Sequence, residues 1–156
     1  SGQVLARWLL RHPERVAGQT VLDFGTGSGV VAVAAAKAGA ARMIACDLDP
    51  AALDAARANA HLNGVALECC DDWHRRPGAI DVITAADVLY DPDNRPLLEA
   101  FRSSASEVLL ADSRVRDLGN EAYRCEAVVA ARTWPDLNEF EEFNRVRIYR
   151  CGKNKG

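Results

Sequence analysis

Apolar runs of strand length alternate with helical segments along the chain up to residue 112. The runs are short and are bounded by glycine, proline or charged residues, as buried strands are. They lie at 20–24, 42–47, 66–70, 80–86 and 107–112. The segments between them predict helices at 28–38, 50–63 and 93–103. Strands that alternate with helices in this way form a parallel sheet that is covered on both faces.

The two ends of the chain depart from this alternation. Apolar residues repeat at helical spacing before the His12-Pro13 break, so the chain begins inside a predicted helix. We expect residues 1–156 to form a single domain that lacks a short N-terminal segment. The last third predicts a weak helix near 116–123 and strands near 125–133 and 145–150.

Two successive strands without a helix between them indicate an antiparallel hairpin at the end of the sheet. The expected fold class is therefore α/β, with a Rossmann-like doubly wound sheet of about seven strands. That sheet is mostly parallel and ends in a C-terminal antiparallel hairpin.

A glycine-rich segment follows the first predicted strand directly. It reads Asp23-Phe24-Gly25-Thr26-Gly27-Ser28-Gly29 and leads into an alanine-rich helix. Glycines allow tight turns and the close approach of a ligand, and the start of the helix offers unpaired N–H groups. The segment is therefore a candidate cofactor cradle. Its members are Gly25, Thr26, Gly27, Ser28 and Gly29.

A carboxylate ends the second predicted strand. Asp47 follows Gly27 by 20 positions, a place from which it can accept hydrogen bonds from both ribose hydroxyls of a nucleotide cofactor. The alternative is that Asp47 only caps the next helix, but Asp49 stands closer to the start of that helix. We assign Asp47 and the adjacent Leu48 to the cofactor site.

The charge of Asp23 separates two candidate cofactors. NAD sites follow a GxGxxG or GxGxxA pattern, whereas Val30 occupies the third position here. A buried carboxylate at Asp23 would repel a pyrophosphate, but it would attract the ammonium and sulfonium groups of S-adenosylmethionine (SAM). The segment therefore predicts SAM rather than NAD, with Asp23 beside the amino-acid end of the cofactor.

A third acidic segment ends the third predicted strand and reads Cys70-Asp71-Asp72-Trp73. A carboxylate at this place can accept a hydrogen bond from the adenine amino group, and a flanking side chain can cover the ring. Either Asp71 or Asp72 fits the amino contact. Trp73 fits adenine stacking and ordinary packing about equally well.

A fourth motif, Asp87-x-x-Tyr90, ends the fourth predicted strand. Together with the three segments above, it resembles the seven-stranded class I SAM methyltransferases. The motif itself looks like the D/E-x-x-Y/F motif of the protein lysine methyltransferases in that class. The stretch 3–150 is most similar to small bacterial relatives of the electron-transfer-flavoprotein β-subunit lysine methyltransferase, also labelled nicotinamide N-methyltransferases. Leu89 and Asp91 stand where those relatives more often have an aromatic residue and Glu.

The resemblance implies SAM-dependent N-methylation of a protein lysine, with the electron-transfer flavoprotein β-subunit as the suggested acceptor. Asp87 would hold and orient the amine, and Tyr90 would line its channel. The structural alternative is that Asp87 caps the loop backbone and Tyr90 packs in the core. Two other functions stay open: N- or O-methylation of a small molecule, and a SAM-binding subunit without catalysis.

Composition and charge narrow the range of partners. The net charge of −3 and a pI near 5.6 argue against a broad basic surface for nucleic acid. The five cysteines form no CxxC pair and have no histidine at metal-ligand spacing, which predicts no metal site and a reducing, cytoplasmic location. The sequence contains no apolar span of membrane length, so we expect no membrane partner. A protein substrate is what the resemblance implies.

Overall fold

The computed structural model describes residues 1–76, 78–89, 91–130 and 145–152. Within these ranges the helices are α1 (Gly2–Arg11), α2 (Val30–Lys37), α3 (Pro50–Leu62) and α4 (Leu97–Ser104). The strands are β1 (Thr20–Phe24), β2 (Arg42–Cys46), β3 (Glu68–Cys70), β4 (Ile80–Ala86), β5 (Ala105–Asp112), β6 (Arg124–Ala130) and β7 (Arg145–Gly152). Short 3₁₀ turns cover Pro13–Arg15, Trp73–Arg75 and Pro92–Asn94.

The seven strands form one sheet in the order β3-β2-β1-β4-β5-β7-β6. The pairs β1–β2, β1–β4, β2–β3 and β4–β5 are parallel. β7 is antiparallel to both of its neighbours, β5 and β6. The predicted fold class is therefore confirmed, including the antiparallel C-terminal pair. After β1 the chain forms β2 and β3 on one side of β1, and it then crosses over to form β4 on the other side. This reversal of strand order places a topological switch point at the carboxyl ends of β1 and β4.

The alternation of side chains along β1 divides the core between the two faces of the sheet. Val21 packs on the face covered by α1 and α2, whereas Leu22 packs on the face covered by α4. Val82 and Ile83 repeat the same division on β4. Because successive residues alternate, Asp23 is on the α1 and α2 face together with Val21.

Three of the five cysteines, Cys46, Cys70 and Cys151, lie in this core as thiols. All five are free, and Cys46 and Cys70 are register partners on β2 and β3. Burial raises the pKa of Cys46 to about 12, and the nearby Cys70 thiol adds to the rise. The Cys46 thiol therefore stays protonated and packs as a small apolar side chain.

The predicted boundaries change where glycine or proline interrupts a helix. α2 begins at residue 30 rather than 28, because Gly29 before it has a left-handed φ of 83°. The helix predicted at 93–103 is divided into the 3₁₀ turn Pro92–Asn94 and α4, with Pro96 at the N-cap of α4. A proline inside the helix would remove a hydrogen bond and clash with the preceding turn.

The predicted helix near 116–123 is wrong, because the described residues there form turns and irregular backbone. Short polar side chains hold this segment through local hydrogen bonds: Asp117 accepts from the N–H of Gly119, and Asn120 accepts from the N–H of Ala122. Such bonds compete with helical ones. Just upstream, the buried Asp112 accepts from the N–H groups of residues 114 and 115 and so fixes the chain as it leaves β5. The predicted strand at 125–133 is observed as β6, and residues 131–133 lie outside the described residues.

None of the helices in the described ranges has the length and apolar content needed to cross a membrane.

Candidate functional site

The glycine segment turns the chain from β1 into α2 at the switch point. Gly25, Gly27 and Gly29 have φ values of 65°, 55° and 83°, conformations that side chains with a Cβ rarely adopt. A Cβ on Gly27 would meet no atom within 4 Å, so the space beside this residue is open. The neighbouring Ser28 is exposed, and its carbonyl accepts a hydrogen bond of 2.7 Å from the Asn59 side chain. The turn therefore forms a cradle with room for a ligand at its centre.

Gly29 has a different role from Gly27, because it lies where α2 crosses α3. A Cβ there would lie 2.8 Å from the Ala56 Cβ and 3.0 Å from the Ala56 Cα. We expect Gly29→Ala to lower the free energy of unfolding by about 2–5 kcal/mol, from the left-handed backbone and the overpacking together. Gly27→Ala carries the backbone strain alone and should cost about 1–2 kcal/mol. Urea unfolding of both variants measures the difference, and equal losses would show that the contact with Ala56 is relieved at little cost.

Asp23 is a buried carboxylate held by two threonine hydroxyls. It is 3% exposed, and it accepts a hydrogen bond of 2.8 Å from Thr26 at Oδ2 and one of 2.7 Å from Thr84 at Oδ1. Burial raises the pKa of Asp23 to about 6, the two hydroxyl bonds oppose that rise, and the negative charge of Asp47 adds to it. At pH 7 the ionised form still exceeds the protonated form by about ten to one. The corner beneath the glycine turn is therefore negatively charged and favours a cation.

Asp47 connects the glycine turn to the loop that follows β2. Its Oδ2 accepts a hydrogen bond of 2.9 Å from the N–H of Gly27, and its Oδ1 accepts one of 3.0 Å from the N–H of Asp49. Asp49, rather than Asp47, caps α3, because its side chain accepts a hydrogen bond from the N–H of Ala51. A carboxylate has about four acceptor positions, so Asp47 keeps two for a ligand. Leu48 beside it is 85% exposed, an unusual position for an aliphatic side chain.

The two aspartates after β3 differ in their environments. Asp72 caps the 3₁₀ turn by accepting a hydrogen bond of 3.0 Å from the N–H of His74, whereas the Asp71 side chain is largely exposed. Arg75 lies 3.6 Å from an oxygen of Asp71 and 3.5 Å from one of Asp72. Asp71 is therefore the more available acceptor for a ligand.

Trp73 is buried in the core on the α4 face. It is 7% exposed, and its ring meets Phe24 and Phe101 edge to face at centroid distances of 5.7 Å and 5.5 Å. The Arg76 guanidinium lies 4.8 Å from the centre of the indole ring. These contacts favour the packing interpretation of Trp73 over adenine stacking.

Asp87 lies just beyond the carboxyl end of β4 in a strained backbone conformation. Its φ is 54°, and its N–H donates to the carbonyl of Ala111 on β5. The Ser1 hydroxyl donates to Oδ1 at 2.6 Å, and the N–H and hydroxyl of Ser113 donate to Oδ1 at 3.4 Å. The side chain is 42% exposed, so its carboxylate can be reached from solvent. Tyr90, the partner predicted for Asp87, lies outside the described residues.

Three polar residues of the site were not predicted from the sequence. Thr84 is the register partner of Asp23 across β1 and β4, so only the strand pairing brings the two together. Ser1 and Ser113 reach Asp87 from 86 and 26 positions away along the chain. A known sheet register would have revealed Thr84, whereas the sequence carries no signal for the two serines.

The carboxylates of Asp23, Asp47 and Asp87 follow or end three neighbouring strands, β1, β2 and β4, at the same edge of the sheet. Carboxyl ends of parallel strands at a switch point form the crevice in which α/β proteins bind ligands. These strand ends bring together a partly exposed carboxylate at Asp47, a buried carboxylate at Asp23 and a solvent-accessible carboxylate at Asp87. The arrangement suits a nucleoside with a cationic tail on one side and an amine on the other.

Comparison with known proteins agrees with this geometry. The sequence model of the family described as ribosomal protein L11 methyltransferase (PrmA) matches residues 8–92. Over 119 residues the chain is 40% identical to the electron transfer flavoprotein beta subunit lysine methyltransferase of Rattus norvegicus, covering 71% of this chain and 47% of that protein. Over 118 residues it is 36% identical to the ribosomal protein L11 methyltransferase of Vibrio campbellii, covering 71% of this chain and 40% of that protein. The chain thus spans about half the length of the curated relatives that it matches.

The fold is shared with solved methyltransferase structures. Magnesium protoporphyrin IX methyltransferase from Synechocystis, crystallised with SAM, superposes with a TM-score of 0.69 at 19% sequence identity. The match covers 96% of this chain and 76% of that one.

Proposed function

The chain belongs to the ribosomal protein L11 methyltransferase (PrmA) family, and from that premise we propose that it is a SAM-dependent methyltransferase that N-methylates a protein lysine. The observation that carries the proposal is the open glycine turn at the switch point, which is bonded to the Asp47 and Asp23 carboxylates, with Asp87 following the neighbouring strand β4. We take residues 1–156 as one catalytic domain that acts in the cytoplasm. The free cysteines are consistent with that reducing location.

The residues of the crevice fit SAM in charge and in space. The open position beside Gly27 leaves room that a Cβ would fill, and Asp47 keeps two acceptor positions for the ribose hydroxyls. Asp23 offers negative charge to the amino-acid end, and Asp71 offers an acceptor to the adenine amino group. A pyrophosphate would meet the buried charge of Asp23 unfavourably, which supports SAM over NAD.

Methyl transfer demands little covalent chemistry from the protein. SAM supplies an electrophilic methyl carbon on a sulfonium centre. The protein has to align the acceptor nitrogen with that carbon, and orientation of this kind supplies a large part of a rate enhancement. The Asp87 carboxylate is fixed by the turn after β4 and can hold an amine by a charge-assisted hydrogen bond.

A lysine acceptor must lose its proton before it reacts. At pH 7 an unperturbed amine with a pKa of about 10.4 is protonated by about 2,500 to one, equivalent to about 4.6 kcal/mol. Partial desolvation lowers the pKa of an amine, and a nearby sulfonium charge lowers it further. Because the Asp87 side chain is accessible to solvent, the released proton can pass to water.

The acceptor is a lysine of the electron-transfer flavoprotein β-subunit in this proposal. Support comes from relatives named for lysine methylation of that protein, and a second group of relatives is named for ribosomal protein L11. L11 is therefore the second candidate acceptor. Both candidates are proteins, which favours a protein substrate over a small molecule.

Labelled methyl groups can identify the acceptor directly. We expect the protein, incubated with methyl-tritiated SAM, to label purified electron-transfer flavoprotein in its β-subunit, with the label on a lysine in the peptide map. Ribosomal protein L11, a cell lysate and the small-molecule fraction that dialyses out of a lysate serve as parallel acceptors. Labelling of L11 alone would show that L11, not the flavoprotein, is the acceptor. A labelled product that is dialysable would show that the substrate is a small molecule. SAM binding without transfer to any of the four would indicate a binding subunit without catalysis.

A further inference from the structure

Thr84 is a fully buried hydroxyl in the centre of the sheet. It lies on β4 between β1 and β5, and its relative exposure is 0%. Its neighbours on the strand, Val82, Ile83 and Ala85, are all apolar and buried. Burying a hydroxyl costs free energy unless it forms a hydrogen bond. The 2.7 Å bond to Oδ1 of Asp23 meets that requirement.

The Asp23 carboxylate depends on neutral donors for its stabilisation. None of the ion pairs formed within residues 1–76, 78–89, 91–130 and 145–152 includes Asp23. Its two side-chain partners are Thr26 and Thr84, one on each oxygen. Buried carboxylates are normally paired with a cation or with several donors. Within the described part of the chain no cationic side chain therefore balances Asp23, and a bound cation can neutralise its charge.

The two hydroxyls differ in how firmly they are held. Thr26 belongs to the glycine turn, the segment that would contact a ligand. Thr84 belongs to a strand that is hydrogen-bonded on both sides, so its position does not depend on the conformation of the turn. A valine at this position would fill the same volume and leave Oδ1 without its donor.

We propose that Thr84 is a positioning residue for the cofactor: its hydroxyl holds the Asp23 carboxylate in place and in its charged form for the cationic amino-acid end of SAM. Thr84 itself, being fully buried, acts only through Asp23. The inference rests on the proposed function, because it assumes that SAM is the ligand of the crevice.

The proposal predicts the direction in which ligand affinity changes with pH when Thr84 loses its hydroxyl. The hydroxyl bond from Thr84 lowers the pKa of Asp23, and burial and the charge of Asp47 raise it. Losing the hydroxyl therefore raises that pKa above its value of about 6 in the intact protein. A ligand that needs the ionised form then binds more weakly near neutral pH and recovers at alkaline pH. A variant that only disturbed packing would bind more weakly at every pH.

Carboxyl ¹³C NMR of the ligand-free protein tests the first half of the proposal without any cofactor. We expect Thr84→Val to raise the pKa of Asp23 by about one pH unit or more, the equivalent of one hydrogen bond to a charged group. Thr84→Ser keeps the hydroxyl and should return the pKa close to the wild-type value. An unchanged pKa in a folded Thr84→Val protein would overturn the proposal, as would a failure of serine to restore the pKa that valine had raised.

Calorimetric titration with two ligands tests the second half. S-adenosylhomocysteine carries the amino-acid end, whereas methylthioadenosine lacks it. We expect Thr84→Val to weaken the first by about threefold or more near pH 6.5 and to approach wild-type affinity above about pH 8.5. Methylthioadenosine should stay within about twofold of its wild-type affinity at both pH values. Equal weakening of both ligands at all pH values would overturn the positioning role. Failure of wild-type protein to bind either ligand would overturn the proposed function instead, and the NMR result would still report on the Thr84 bond.

Discussion

Asp87→Asn is expected to slow methyl transfer to the protein acceptor by about 10- to 1,000-fold while SAM affinity stays within about twofold. The substitution removes the negative charge that would hold an amine and changes little else. Asparagine has the same shape as aspartate and is one of the few residues that tolerates the left-handed backbone found here, with a φ of 54°. Its side-chain oxygen can also keep accepting from Ser113. The expected loss is therefore one of orientation and charge rather than of folding.

Single-turnover transfer from labelled SAM measures this effect, with calorimetric titration of SAM on the same preparation. Asp93→Asn is a matched control, since it removes an exposed carboxylate from the 3₁₀ turn that follows the same strand. The control should retain activity within about twofold, as surface substitutions usually do. Undiminished transfer by Asp87→Asn would refute the role of this carboxylate in catalysis and leave the loop-capping alternative.

Asp47→Ala is expected to weaken SAM binding by about 100-fold or more, the loss of two charge-assisted hydrogen bonds of about 1.5–3 kcal/mol each. The structure adds a second cause, because Asp47 also accepts from the N–H of Gly27 and so fixes the glycine turn. Asp47→Asn separates the two causes: it keeps a side-chain oxygen for the turn but removes the charge. We expect its SAM affinity to fall between those of the wild-type and Asp47→Ala proteins.

The neighbouring Asp49→Ala supplies the control for Asp47. Asp49 caps α3 through the N–H of Ala51, so its loss should lower the free energy of unfolding by about 1 kcal/mol and leave SAM affinity within about twofold. Calorimetric titration compares the variants, and NAD serves as a ligand that should not bind. An unchanged dissociation constant for SAM in Asp47→Ala would refute the assignment of Asp47 to the ribose. Binding of NAD in place of SAM would refute the proposed activity.

The sequence by itself determined the order of the elements and the place of the candidate cofactor segment. Strands at 20–24 and 80–86 and helices such as α3 are encoded in runs of adjacent residues, and their caps are local too. The spacing between the glycine turn and Asp47 is also a local property, because one βαβ unit contains both. Periodicity, turn residues and motif spacing therefore predicted the fold class and the strand ends at which the candidate site residues lie.

Local signals were misleading where polar side chains competed with the helix. Residues 116–123 have helical character, yet bonds from Asp117 and Asn120 to nearby N–H groups hold them in turns. For Trp73 the sequence left adenine stacking and core packing open, and the contacts of its ring with Phe24 and Phe101 favour packing. Which direction a side chain takes depends on the packing around it, and sequence position alone does not carry that information.

Only the tertiary structure decided which side chains meet in the crevice. Thr84 reaches Asp23 across 61 positions and Ser1 reaches Asp87 across 86, distances over which the sequence has no periodicity to connect them. These contacts follow from the pairing of β1 with β4 and from the packing of α1 against the sheet. Strand register sets them, because a shift of one residue would turn Thr84 to the opposite face and leave the Asp23 carboxylate without its donor.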